Sequence, residues 1–235
     1  ALSKMCARIK ESDLYDKKLK MYKTSESLEN ISYENGRIKA FTPGWLERES
    51  IFLHMEYKYF LGMLKAGLYD EYYEAIKDAL IPFLNPEVYG RSVLENSSFL
   101  ASSVNPDPAT HGRGYVARLS GSTTEVISMW INMFLGSKGF TVENGELTLH
   151  LEPKLAGWMF DEEGKASFRL CAQCDVNYHN KNRKNTYGMN RAEIREIILT
   201  LKDGGTLQIS GSCIRGINAR NIRDGRVQAI DVFME

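Results

Sequence analysis

Two segments hold residue types that could bind an anion or transfer a proton. The first runs from Pro43 to His54 and carries Glu47 just after a Pro-Gly turn. Residues seven apart lie on one face of a helix, so this spacing predicts that Glu47 and His54 face a common cleft. An alternative is a carboxylate favoured by the dipole at a helix start, followed by a histidine packed inside. The spacing alone does not distinguish these two interpretations.

The second segment places Ser120, Gly121 and Ser122 directly before an apolar helical pattern. Glycine lets the backbone approach a ligand closely, and the free N–H groups of a helix start point at an anion. Arg113 or Arg118 would add positive charge. The Gly-Lys-Ser/Thr element of a nucleotide P-loop is absent. These residues predict a phosphate site, and an ordinary capped helix is the alternative.

The cysteines and a basic loop give weaker signals. Cys171 and Cys174 have the spacing of a zinc or redox pair, but a zinc site needs two further ligands. We expect them to be buried free thiols in one strand, on opposite faces. The basic stretch from His179 to Thr186 is expected to be a solvated loop. Free thiols without an export signal indicate a reducing cytoplasm.

The elements that must position these residues fall into two regions. Up to residue 137 the apolar spacing is mostly helical. It predicts helices over 2–30, 51–66, 69–80 and 122–135, the last capped by Ser122 or Thr123, and a hairpin at Asn35-Gly36. Residues 85–121 form a long polar segment, which is typical of functional loops.

After Gly139 the period changes to two, which predicts a β domain. Strands are expected over 145–151, 166–176, 196–201, 206–210 and 227–234, with a turn at Asp203-Gly204-Gly205. Several short strands with glycine-rich turns are typical of a β-sandwich or jelly-roll. The sequence thus predicts an α+β chain in two domains: 1–137, mostly helical, and 138–235, all β.

Composition excludes some partner classes. The 30 basic and 30 acidic side chains leave a formal charge of zero, whereas nucleic-acid binding requires clustered positive charge. No apolar run approaches the roughly 18 residues of a membrane span. We therefore expect neither a nucleic-acid partner nor a membrane partner.

The motifs together resemble the cellobiose phosphorylase family of inverting glycoside phosphorylases. Pro43-Gly-x-x-Glu47-x-x-x-Ile51-Phe52-x-His54 is similar to the family's Pro-Gly-x-Lys-Glu-Asn-Gly-Gly-Ile-Phe-x-His segment. Gly112-Arg113, followed by Leu119-Ser120-Gly121-Ser122, is similar to its Gly-Arg and Leu-Thr-Gly-Thr segment. The two motifs occur in the family's order and at its separation. The layout also resembles the family's (α/α)6 barrel followed by a C-terminal β domain.

The resemblance implies phosphorolysis of β-linked gluco-oligosaccharides by inorganic phosphate, with inversion to α-glucose 1-phosphate and no cofactor. It implies that His54, Ser120, Gly121 and Ser122 bind phosphate. It also implies that Glu47 and Arg113 bind the sugar substrate. A homodimer is left open.

The general acid that the family requires is not found in residues 1–42. The family's general acid is an Asp in a Trp-Asn-Asp-like segment upstream of the Pro-Gly motif, and residues 1–42 contain no such segment. We therefore expect the chain to be the C-terminal part of a longer enzyme, with its acid upstream of Ala1 and little activity without that part. Leu46, Arg48, Glu49 and Ser50 depart from the family pattern, as does the run from Thr123 to Glu125, so the substrate linkage stays open.

Two other functions fit the same residues. An inverting (α/α)6 hydrolase would need a second carboxylate as base, with Glu47 or Glu49 as the candidate. A non-catalytic carbohydrate-binding or assembly module would use exposed aromatic side chains such as Trp158 and Tyr178. Dependence on phosphate separates the phosphorylase from the hydrolase.

Overall fold

A computed structural model of the protein describes residues 1–115 and 121–235. Within them the fold mixes helices and several small sheets. The chain forms two compact units, Ala1–Met129 and Trp130–Glu235, and the boundary lies inside a helix. The sequence prediction places its domain boundary later, between residues 137 and 138. None of the helices in the described part is long and apolar enough to cross a membrane.

The first unit is built mainly from helices and very short strands. In chain order these are α1 (Leu2–Glu11), β1 (Tyr15–Asp16), β2 (Met21–Tyr22), β3 (Ile51–Phe52), α2 (Leu53–Lys65), α3 (Tyr69–Ala79), α4 (Pro86–Tyr89), β4 (Phe99–Leu100), β5 (Gly114–Tyr115) and the start of α5 (Gly121–Phe134). Strands β1 and β2 form a hairpin, and β3, β4 and β5 form an antiparallel sheet with β4 in the centre.

Helices α2 and α3 pack together through the apolar faces that their sequences predict. Leu53, Tyr57 and Phe60 of α2 are fully buried, as are Tyr72 and Ile76 of α3. Their spacing of three or four residues places them on one side of each helix. The predicted bounds are nearly correct, except that the first two residues of the predicted 51–66 helix form strand β3 instead.

The predicted long helix over 2–30 is wrong beyond Glu11. The Ser12 hydroxyl accepts a hydrogen bond from the Leu14 N–H, and the Asp16 carboxylate accepts one from the N–H of Lys18. Such side-chain acceptors compete with helical backbone bonds. The chain therefore leaves the helix and turns into the β1–β2 hairpin.

The predicted hairpin around Asn35-Gly36 is also wrong. The segment Tyr33–Ala40 forms 3₁₀ turns interrupted at Gly36, which has a φ of 81°. The Ser32 hydroxyl accepts from the Glu34 N–H, and the Asn35 side chain donates to the Ser32 carbonyl. These local bonds satisfy the backbone without a partner strand.

The second unit contains two sheets and a helix. Its elements are the end of α5, β6 (Phe140–Glu143), β7 (Glu146–His150), β8 (Lys165–Leu170), β9 (Cys174–His179), β10 (Ile194–Leu201), β11 (Thr206–Ser210), β12 (Cys213–Arg215), α6 (Gly216–Arg223) and β13 (Val227–Met234). One sheet has the order β11-β10-β13-β9-β8, with only the β13–β9 pair parallel, and the other has the order β12-β7-β6.

The end of α5 packs on the five-stranded sheet. The Tyr178 hydroxyl donates to the Phe134 carbonyl at 2.6 Å, and the Phe134 and Phe168 rings lie 5.5 Å apart between centroids. Helix α6 lies between β12 and β13 in the chain. The second unit is therefore mixed, and the expectation of an all-β C-terminal domain is wrong in this respect.

The strand predicted over 166–176 is two antiparallel strands joined by a tight turn. Cys171 and Ala172 have positive φ angles of 51° and 56°, and Leu170 pairs with Cys174. Cys174 is buried, as predicted, whereas Cys171 is exposed in the turn. Alternation alone did not reveal the turn because no glycine or proline marks it.

Candidate functional site

His54 lies in the first turn of α2, where the sheet β3-β4-β5 fixes it. The Leu53 N–H donates to the Ser98 carbonyl at 3.0 Å, and the Ser98 N–H donates to the Tyr115 carbonyl at 2.9 Å. These bonds tie the start of α2 to the residues just before β4. They fix the backbone next to His54, whose side chain remains one-third exposed.

Gly121, the first residue of α5, lies directly against the His54 ring. A Cβ atom at Gly121 would come within 2.7 Å of the ring atoms Cγ and Cε1, and closer still to Nδ1. Real Cβ atoms do not approach neighbours so closely, so any side chain at residue 121 would force the His54 ring to shift. The structure thus brings together two of the residues predicted to bind phosphate. Ser120, a third, lies outside the described residues, as does Arg118.

Ser122 is buried and already has a partner. Its hydroxyl donates to the Ser97 carbonyl at 3.3 Å, and the Ser97 hydroxyl shares a hydrogen bond with that of Tyr89. Ser122 lies within α5, whose first residue is Gly121. The predicted cap at Ser122 or Thr123 is therefore wrong.

A carboxylate completes the cluster around His54. Glu125 Oε1 lies 3.4 Å from His54 Nε2, and the Glu125 side chain is 14% exposed. Residues four apart share a helix face, so the position of Gly121 could have revealed Glu125. Nothing in the sequence pattern marks Ser97, which reaches Ser122 across 25 residues.

We define the His54 cluster as His54, Gly121, Ser122 and Glu125. An imidazole beside the first turn of a 14-residue helix offers N–H donors to an anion. The carboxylate of Glu125 lies 3.4 Å from Nε2 of the ring and adds a negative charge beside this position. The cluster can therefore bind a small anion through the helix start and the exposed ring edge.

Glu47 does not share a helix face with His54, so that prediction is wrong. The helix begins only at Leu53, and residues 45–48 form a turn closed by a Trp45–Arg48 bridge. Leu46 has a φ of 50°, which no helix contains. The exposed Glu47 carboxylate lies 2.7 Å from Arg37 Nη2.

The other proposed binding and base residues have their own partners. Arg113 is exposed, and its guanidinium lies near Gly90, where a Cβ atom would be 3.1 Å from Nε. Glu49 is 3% exposed and lies 3.5 Å from Arg48 Nε. Tyr178 is fully buried, which is incompatible with stacking on a glycan, whereas Trp158 is 38% exposed.

A separate cavity of about 370 Å³ lies between α1, the β1–β2 hairpin and α3. Its wall contains two lysines, and both are paired: Lys10 with Glu74 at 2.6 Å and Lys20 with Asp78 at 3.2 Å. The bond to Glu74 raises the pKa of Lys10. None of the predicted site residues lines this cavity.

No group of three or more metal-ligating side chains is found in residues 1–115 and 121–235. In particular, Cys171 and Cys174 are free thiols in different surroundings. No protein-family model matches the sequence, and the comparison with curated proteins gives no significant match. The geometry of the His54 cluster and the motif resemblance therefore carry the functional argument.

Proposed function

We propose that this chain is the C-terminal part of an inverting glycoside phosphorylase acting on β-linked gluco-oligosaccharides. The observation that supports it most is the packing of the His54 ring on Gly121 at the start of α5. Two motifs carry the resemblance, and their residues His54 and Ser120 are 66 positions apart in the sequence. Of the described residues, His54 of the first motif and Gly121 of the second lie in contact. Such a meeting is what a shared phosphate site would require.

The proposed reaction needs one acid and no base. A phosphate oxygen attacks the anomeric carbon while the glycosidic C–O bond breaks, and the leaving oxygen takes a proton from a general acid. Phosphate is already an anion, so no carboxylate has to activate it, unlike the water of an inverting hydrolase. The protein must mainly hold phosphate in line with the sugar, which N–H donors do without changing charge.

His54 and the α5 start would provide those donors. Glu125 Oε1, 3.4 Å from Nε2 of His54, would fix the ring orientation, at the expense of anion affinity. Ser120 would add a hydroxyl, as its place in the motif implies. Glu47 and Arg113 remain the proposed sugar-binding residues.

Several further features belong to the same proposal. The first unit would be part of an (α/α)6 barrel, and the two sheets of the second unit would form a sandwich or jelly-roll. The general acid would lie in a segment upstream of the Pro43-Gly44 motif that residues 1–42 do not supply. The reaction would occur in the cytoplasm, which accords with four free cysteines.

A hydrolase is the second candidate, and Glu125 favours it. A carboxylate 3.4 Å from His54 Nε2 could hold and activate a water molecule, which phosphorolysis does not need. Glu47 and Glu49 serve this role less well because both carboxylates face arginines.

The test uses the protein expressed from its complete reading frame and a panel of β-linked gluco-oligosaccharides, with and without phosphate. We expect α-glucose 1-phosphate to form only when phosphate is present. His54→Ala should raise the apparent KM for phosphate about tenfold or more. His111→Ala is the matched control, because His111 contacts Lys18 and Asn105 in the same unit. Free glucose released without phosphate would instead support the hydrolase.

A further inference from the structure

A second histidine cluster lies on one face of the sheet β12-β7-β6. Cys213 on β12 is directly opposite His150 on β7. Thr141 and Glu143 on β6 lie on the same face, since Thr141 is paired with Thr148, two residues from His150. Directly paired residues of antiparallel strands share a face. The fold thus groups a thiol, an imidazole, a hydroxyl and a carboxylate from three strands.

The groups around Nε2 favour one tautomer of His150. Glu143 Oε1 lies 2.9 Å from Nε2, and Thr141 Oγ1 lies 3.0 Å from the same atom. An ionised carboxylate only accepts hydrogen bonds, so its position 2.9 Å from Nε2 favours the tautomer with the hydrogen on Nε2. The lone pair of the neutral ring is then on Nδ1, which lies 3.4 Å from Cys213 Sγ. In that tautomer the thiol donates to Nδ1.

The surroundings hold this arrangement in place. The His150 side chain is 5% exposed and packed, whereas Cys213 is partly exposed. Arg215 Nη2 lies 3.8 Å from Glu143 Oε2. Thr148, on the same face, is fully buried, and its hydroxyl has no hydrogen-bond partner among the described residues. The buried polar face can therefore donate one more hydrogen bond.

The other thiols lack such a base. Cys6 and Cys174 are buried, and burial raises the pKa of Cys174 to about 11. Cys171 is exposed in the β8–β9 turn. In the described part of the chain, the Cys213 sulfur contacts His150 Nδ1 and, at 3.9 Å, the Ser212 hydroxyl. A disulfide formed by Cys213 with a small molecule would thus have no adjacent thiol to resolve it.

We infer that Cys213 is a site of thiol–disulfide exchange with low-molecular-weight disulfides, with His150 as its general base. Cys213 Sγ attacks one sulfur of the incoming disulfide and gives its proton to Nδ1 of His150. The S–S bond of the small molecule breaks, and the departing thiolate takes that proton from the imidazolium. The products are a mixed disulfide on Cys213 and one free small thiol.

Glu143 is a positioning residue in this step. Its carboxylate holds the Nε2 hydrogen and stabilises the imidazolium that forms for a moment. Disulfide exchange generates no oxyanion, so it needs no further donor at the reacting atom. That simplicity favours a disulfide over an acyl group as the electrophile.

The test measures exchange with glutathione disulfide on the intact folded chain near neutral pH. Peptide mass spectrometry gives the rate at Cys213 relative to Cys171, an exposed thiol in the same unit that serves as internal reference. We expect Cys213 to react roughly tenfold faster than Cys171. His150→Phe should reduce the rate at Cys213 to that of Cys171.

Glu143→Gln keeps the inference testable if His150→Phe unfolds the sheet, because Glu143 is 39% exposed and its loss should spare the fold. We expect this variant to lower the Cys213-to-Cys171 rate ratio severalfold with unchanged circular dichroism. Iodoacetamide, a second electrophile, should give the same order of rates. A ratio near one in the unmodified chain, or a ratio that neither variant changes, would overturn the inference.

Discussion

The His54 cluster in the first unit and the His150 cluster in the second unit share a carboxylate on Nε2 and differ in what faces Nδ1. At His54 the Nδ1 edge lies against the backbone of Gly121. At His150 the same atom faces a thiol at 3.4 Å. The first cluster therefore suits an external anion, whereas the second holds its own nucleophile.

The clusters also differ in burial and in the elements that build them. His54 is 33% exposed at the start of a helix, and His150 is 5% exposed within a sheet. An exposed ring at a helix start can accept a ligand without rearrangement. A buried ring between strands can act only on the groups that the sheet places beside it. The same imidazole–carboxylate pair thus serves different chemistry in the two units.

The largest expected effect concerns Glu56, a carboxyl group that is not paired with a histidine, unlike the carboxylates of the two clusters. Glu56 on α2 is 3% exposed, and burial raises its pKa to about 8, although the Tyr22 N–H donates to Oε1 at 2.8 Å and opposes the shift. Its Oε2 has no hydrogen-bond partner in the described part of the chain.

The folded protein keeps a proton on Glu56 that the unfolded chain loses above pH 4.5. Stability should therefore fall as the pH rises from about 4.5 to about 8, by roughly 3 to 5 kcal/mol. Glu56→Gln mimics the protonated acid and should remove most of this slope. Urea unfolding at several pH values measures it, and an unchanged slope in the variant would contradict the assignment.

The next effect compares the two histidines directly. His150→Phe should lower the free energy of unfolding of the second unit by about 2 to 3 kcal/mol, because it leaves three buried or half-buried polar partners unsatisfied. His54→Phe should cost less than about 1 kcal/mol, since its ring is partly exposed. Hydrogen exchange on peptides of each unit measures both losses. Equal losses of unfolding free energy would show that the difference in burial does not change how much each histidine contributes to stability.

A smaller effect tests the contact at the helix start. Gly121→Ala should push the His54 ring away, destabilise the first unit by about 1 to 2 kcal/mol and weaken phosphate binding about tenfold. The control is Gly62→Ala, because Gly62 lies in α2 with open space at its Cβ position. This control should stabilise α2 by up to about 1 kcal/mol. Phosphate titration followed by histidine NMR detects the difference, and equal binding in both variants would remove Gly121 from the site.

The smallest effect concerns the carboxylate of the His54 cluster. Glu125→Gln removes a negative charge beside the proposed anion site, so phosphate affinity should rise severalfold, or about 1 kcal/mol. If the hydrolase is correct, the same change should instead abolish turnover. Phosphate KM and glucose release, measured on the protein from the complete reading frame, distinguish the two. A fall in phosphate affinity would count against both roles of Glu125.

Local patterns predicted the regular elements well. The apolar spacing of α2, α3 and α5 placed these helices within about two residues, and strands β10, β11 and β13 follow their alternation closely. These signals are strong because burial of one face acts on every turn or every second residue. Predictions failed where side chains bond locally to the backbone, as at Ser12 and Ser32, and at the Cys171 turn, which no glycine or proline marks.

The His54 cluster was only partly predictable for a related reason. Motif order pointed to His54 and Gly121, because a close backbone approach demands glycine. The pairing of Glu47 with His54 failed because it assumed a continuous helix, and the positive φ angles at Leu46 and Glu49 break it. Ser97 carried no signal, since its role depends on a carbonyl rather than on its side chain type.

The helix-to-strand change along the chain and the buried faces of the main helices follow from the sequence alone. These depend on neighbours within a few residues, where spacing is set by covalent geometry. In contrast, the contacts of Gly121 and Glu125 with His54, and the grouping of Cys213, His150 and Glu143, depend on tertiary packing. Cys213 and His150 are 63 residues apart, and their contact exists because strands β12 and β7 pair in one register. A shift of one residue in that register would move Cys213 to the opposite face of the sheet.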